Sequence, residues 1–158
     1  MDAISVDAIN QYFDLLNDVL EKNNLKESPG QIYNVNESGM ALEHRPPKLV
    51  TLKGQKKVKC RTSGDKSQIT VVGCINAVGQ AIPPFVIFKA KTLSPLWMKN
   101  GVPGTAYACS ANGWIDTELF HLWFSTHFLK YAVSSRPLLL VLDGHSTHYQ
   151  PETKICKI

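Results

Sequence analysis

Leu138-Leu139-Leu140-Val141-Leu142 is a run of five apolar residues that stops on Asp143-Gly144-His145, and it constrains the fold more than any other segment. A continuous apolar stretch of this length, with Arg136-Pro137 before it and a polar turn after it, marks a strand buried on both faces in the middle of a sheet. Such a strand needs helical cover, and the residues before it supply some. Asp116 stands at an N-cap position, and Phe120, Phe124, Phe128 and Tyr131 follow as one stripe that Leu119 and Trp123 widen. Aromatic residues at this spacing form a packing face.

The rest of the chain fits an α/β class. Ser5 is a helix N-cap, and Ile9, Phe13, Leu16 and Leu20 recur at helical spacing to about Asn23, predicting an amphipathic helix with one core face. Asn23-Asn24 and Ser28-Pro29-Gly30 end it, and residues 31–36 (QIYNVN) follow as a short strand with polar residues at its tip. Residues 67–77 (SQITVVGCINA) read as a β-strand, and residues 81–88 (AIPPFVIF) as its hairpin partner across Val78-Gly79-Gln80. Pro83 and Pro84 lack amide donors, so this second strand is expected to be irregular or to start only at Phe85. Pro151 with Glu152 opens a third helix, which has roughly two turns before Ile158.

Composition narrows the classes. With 158 residues, 44% hydrophobic and 19% charged, the chain has the size of one soluble domain able to bury a core. Asp2, Asp7, Asp14, Asp18 and Glu21 in the first helical stretch are wrong for a secretory signal, and Asn76, Gln80 and Pro83-Pro84 interrupt the longest apolar region, so no membrane span is expected. Cys60, Cys74, Cys109 and Cys156 lie far apart, which argues against a zinc knuckle or a redox dithiol and for buried or free thiols. The net charge of +4 permits contact with a polyanion. Its distribution says more: Lys48, Lys53, Lys56, Lys57, Lys59, Arg61 and Lys66 form one basic stretch whose only acid is Asp65. That stretch reads either as a phosphate contact or as a solvated loop. Lys89 and Lys91, after the hairpin strand, carry the same two readings.

Chemistry can gather where strands end in a sheet of this kind. Two polar sites qualify, Asn36-Glu37 and Asp143, at the tips of strands that could lie side by side. On the residues alone, Asp143 reads equally as a cap on the turn that Gly144 allows. His145 and His148 read as turn residues, since zinc would need two further ligands that nothing nearby supplies.

Four blocks then carry a resemblance: residues 32–39 (IYNVNESG), 63–89 (SGDKSQITVVGCINAVGQAIPPFVIFK), 113–116 (GWID) and 138–149 (LLLVLDGHSTHY). In this order, and across nearly the whole chain from Ser5, they resemble the DDE superfamily endonuclease domain of pogo, Tigger and jerky type transposases. The resemblance implies a ribonuclease-H-like mixed sheet with flanking helices, as a single domain over 1–158 that lacks its C-terminal part. It also implies three carboxylates around two Mg²⁺ ions that cut and rejoin DNA. Mg²⁺ is a hard cation held through oxygen, and two such ions need carboxylate charge to balance them.

Carried over by position, the family's first acid falls on Asn36, because the family pattern resembles Asn-x-Asp-Glu-Thr-Gly and this chain reads Asn34-Val35-Asn36-Glu37-Ser38-Gly39. Asp143 matches the second acid, the residue implied to ligate metal. The third is expected on a later helix, past the fifteen residues that follow Asp143. An amide oxygen has no formal charge and does not bridge two metals as a carboxylate does, and Glu37 should point away from residue 36 along a strand. Mg²⁺ binding is therefore expected to be lost.

The expected function is a catalytically inactive, transposase-derived domain that binds DNA in the nucleus, with Lys53, Lys56, Lys57, Lys59, Arg61 and Lys89 as candidate nucleic-acid contacts. Two alternatives remain at this stage: a non-catalytic DNA-binding or protein-interaction module, and a fragment of an active Mg-dependent strand-transfer nuclease.

Overall fold

The computed structural model describes residues 5–41, 53 and 68–143. Helix α1 (Val6–Lys22) is followed by strands β1 (Ile32–Ala41), β2 (Gln68–Asn76), β3 (Ala81–Lys89) and β4 (Ala106–Ser110). A helical rod over 117–131 comes next, then strand β5 (Leu139–Val141). The sheet order is β4-β3-β2-β1-β5, with β1, β2 and β3 antiparallel and both outer strands parallel to their neighbours. A mixed five-stranded sheet with flanking helices is the α/β arrangement expected from the sequence, consistent with a ribonuclease-H-like fold.

The β2–β3 hairpin solves the proline problem with a bulge. Val72 pairs with Phe85 and Cys74 with Ile82, so Pro83 and Pro84 together stand opposite Gly73. β3 therefore begins at Ala81 and is irregular, the first of the two expected outcomes, because one extra residue absorbs the missing donors instead of ending the strand. Asn76 fixes the turn. Its Oδ1 accepts the Gln80 N–H at 2.9 Å, while Gly79 takes a left-handed φ of +87°.

One face of the sheet carries Tyr33, Val35, Val72, Cys74, Ile82, Phe85 and Ile87 and packs on Phe120, Trp123 and Phe128 of the rod. Asp116 caps the rod as expected, its side chain accepting the Leu119 N–H at 2.9 Å. The middle of the rod, Trp123–Phe128, is π-helical, and Ser125 and Thr126 donate back to the carbonyls of His121 and Leu122. The wider turn alters the expected stripe. Trp123, His127 and Phe128 are buried, while Phe124 is only partly covered and Tyr131 is exposed.

Three other expectations need correction. The run at 138–142 is at an edge of the described sheet, with β1 as its described neighbour, and does not lie between two described strands. It is apolar because Leu138, Leu139, Leu140 and Leu142 line a cavity of about 510 Å³ together with Phe124 and Phe128. Helix α1 forms where Ser5 starts it, with the Ser5 Oγ accepting the Ala8 N–H, yet none of its residues is fully buried; among the described residues its apolar side is covered only toward the C-terminal end, where Leu16, Val19 and Leu20 are half-buried. β1 extends five residues past Asn36 to Ala41, because β2 pairs with it over that whole length. β4 has no counterpart in the sequence reading. The helix expected from Pro151 lies outside the described residues.

Candidate functional site

Parallel pairing of β1 and β5 sets Ile32 opposite Leu139, Tyr33 opposite Leu140 and Asn34 opposite Val141. β5 ends at Val141, and the same register carried two positions past it would set Asn36 opposite Asp143. Both residues are exposed.

Glu37 belongs to the other face. It pairs with the buried Val72 and follows Tyr33 and Val35 in the alternation that faces the helical rod, where it is half-buried. The Asn36 Oδ1 is already engaged close to home, accepting the Glu37 N–H at 2.9 Å.

The 113–116 block frames the same end of the sheet. Gly113 has a φ of +82°, and a Cβ there would lie 2.9 Å from the Lys89 Cβ. Its carbonyl accepts the buried Thr70 hydroxyl at 2.7 Å. The Trp114 ring lies against Gly39 of β1, close enough that a Cβ there would meet it at 2.9 Å. Ile115 enters the core, and Asp116 starts the rod. These four residues anchor the rod to the sheet; each contact is structural.

The candidate phosphate contacts are less concentrated. Lys53 is exposed, and Lys56, Lys57, Lys59 and Arg61 lie outside the described residues. The connection that carries them joins Ala41 to Gln68, which are paired, so it leaves the sheet from the end toward which β1, β3 and β5 all run. Lys89 finishes β3 beside Phe88, at the level of Ile69 and Met40, and is exposed. That is four to five strand positions beyond Asn36, or roughly 15 Å. Lys89 shares the end of the sheet with Asn36 and Asp143 without touching them.

The family described as DDE superfamily endonuclease matches residues 66–157, more than half of the chain. The chain belongs to this superfamily. Two of its relatives are proteins named Pogo transposable element with KRAB domain, from Homo sapiens at 26% identity and from Mus musculus at 25%, each aligned over 78% of this chain and 20% of the relative. A protein named MFS-type transporter clz9 from Cochliobolus lunatus is 31% identical over 80% of this chain and 14% of its own length. The chain therefore spans a fifth or less of these curated relatives. No solved structure matches it significantly. Among the described residues no helix is long and apolar enough to cross a membrane.

DDE superfamily endonucleases generally use divalent metal ions, and Asn36, Glu37 and Asp143, the described residues at the predicted positions, do not by themselves fit a two-ion site. Asn36 offers a neutral oxygen that already holds an amide proton, Glu37 faces the other side of the sheet, and Asp143 is an exposed carboxylate just past β5. Among the described residues, no three His, Cys, Asp or Glu side chains come together as a metal cluster.

Proposed function

We propose that this chain is a transposase-derived DDE domain that contacts nucleic acid and does not cut it. The observation that carries the reading is the amide at Asn36 in β1, the strand whose parallel partner β5 leads directly into Asp143. At the point where two strand ends would present two carboxylates to a pair of cations, one is an amide. Mg²⁺ binding of the two-ion kind is lost with it, because neutral oxygen does not offset the charge of two divalent ions held close together. Asp143, two residues past the end of β5, keeps the second acid's place, and Asn36 stands in for the first.

Nucleic-acid contact rests on charge and topology. The basic stretch holding Lys53, Lys56, Lys57, Lys59 and Arg61 connects β1 to β2 at the sheet end toward which Asn36 and Asp143 also lie, and Lys89 adds a cation there. Phosphate is the partner such a stretch attracts, and the Pogo relatives make DNA the natural polyanion. Nuclear location is part of the same proposal.

Two measurements test it separately. The purified chain is expected to leave supercoiled plasmid intact with Mg²⁺ or Mn²⁺; nicking that Asp143→Ala abolishes would overturn the inactive reading. Binding to a duplex oligonucleotide is expected to weaken steeply with added salt, through counterion release. Absent or salt-independent binding would remove the nucleic-acid half.

A further inference from the structure

Phe88, Tyr107 and Trp97 form an aromatic stack on the face of the sheet that carries Asn36. Phe88 of β3 pairs with Ile69, which pairs with Met40 of β1, and Met40 shares a face with Asn36 by strand alternation. Tyr107 of β4 stands beside Phe88 with ring centroids 6.4 Å apart, and Trp97 lies on Phe88 at 4.7 Å with the ring planes 23° from parallel. Ser94 starts the short 3₁₀ turn Pro95–Met98 that delivers the indole, its Oγ accepting the Leu96 N–H. Although Phe88 holds the ring, Trp97 stays 43% exposed. An exposed flat ring fixed by its neighbours lets another flat ring stack on it at little entropic cost.

The charges select what stacks there. Lys89 and Lys91 follow Phe88 within three residues, Lys99 follows Trp97 by two, and all three are exposed. No acid occurs in the chain between Asp65 and Asp116 to offset them. Residues 42–67, with eight Lys or Arg against Glu43 and Asp65, are cationic themselves, as are residues 144–158, with Lys154 and Lys157 against Glu152. Either stretch would meet like charge on this patch, and a second copy would bring the same lysines. Nucleic acid, by contrast, joins phosphates to flat rings. In a duplex those rings already stack on one another, so the form that fits is a strand with unpaired bases.

We propose that Trp97 is a stacking platform for an unpaired base of single-stranded DNA, with Lys91 and Lys99 contacting its phosphates. This rests on the nucleic-acid half of the function proposed above and adds the form of DNA that the surface takes.

Fluorescence anisotropy with two labelled oligonucleotides tests it on the full chain: oligothymidine, and an abasic backbone of equal length. Both carry the same phosphates, so counterion release is matched and the difference reads stacking. The wild-type chain is expected to bind oligothymidine roughly tenfold tighter or more. Trp97→Ala is expected to bind both strands alike, at the wild-type affinity for the abasic backbone. Trp97→Phe, which keeps a ring on Phe88, is expected to retain part of the preference, separating lost stacking from a disturbed turn. Equal wild-type affinity for the two strands, or a Trp97→Ala chain that keeps the preference, would overturn the platform and leave phosphate contact standing. Binding to neither strand would remove the nucleic-acid reading and the platform together.

Discussion

His127 Nε2 lies 2.6 Å from the carbonyl oxygen of Pro83, and this bond joins the π-helical turn of the rod to the bulge in β3. A carbonyl only accepts, so Nε2 carries the proton. The two irregularities support each other: the bulge turns the Pro83 carbonyl toward the rod, and the wide helical turn brings a buried imidazole to meet it. Phe85 and Tyr131 hold the ring, with centroids 6.1 and 5.0 Å away.

His127→Phe keeps an aromatic ring but leaves that carbonyl without its donor. The expected cost is about 1 to 3 kcal/mol of stability, the usual penalty for stranding a buried acceptor. A urea unfolding curve with an unchanged midpoint would show that the bond contributes nothing.

Asn36→Asp restores a second carboxylate opposite Asp143. Mn²⁺ affinity, measured by calorimetry on the purified chain, is expected to rise roughly tenfold or more over wild type, as a charged oxygen ligand replaces a neutral one. The gain should disappear in Asn36→Asp combined with Asp143→Asn. Equal Mn²⁺ affinity in wild type and Asn36→Asp would mean that the two strand ends do not act as one site.

Cys74 is buried against the rod side of the sheet, and burial pushes its thiol from 9.0 up to about 12. A raised value means that the folded chain holds the proton where the unfolded chain has released it. Stability from this thiol is thus fully present below about pH 9 and is lost as pH climbs toward 12. Across this window the wild-type chain should lose stability more steeply than Cys74→Ala, as followed by thermal unfolding. The same burial predicts that iodoacetamide alkylates the half-buried Cys109 well before Cys74.

Local signals accounted for several features. Ser5 and Asp116 start helices because a side-chain oxygen three residues before a free amide is a local device, needing nothing from the rest of the fold. The hairpin turn at Gly79 was legible for the same reason. Strand placement was not. The apolar run at 138–142 reads alike whether strands flank it on both sides or a helical rod lies over it, and only packing distinguishes these cases. β4 carries no strand signal in the sequence because Ala106, Ala108 and Cys109 are small and show no clear alternation; its pairing with β3 makes it a strand. The π-helical turn likewise depends on what the rod packs against.

At the site, sequence by itself determined the chemistry of the donors: an amide at 36, acids at 37 and 143, and a cationic stretch between β1 and β2. Which of them stand together was a tertiary matter. Asn36 and Asp143 lie more than a hundred residues apart along the chain, and the parallel pairing of β1 with β5 directs both toward one end of the sheet, while strand alternation sends Glu37, adjacent in sequence, to the opposite face. Side-chain chemistry is fixed residue by residue, whereas proximity is set by backbone hydrogen bonds between distant segments, whose register no single segment encodes.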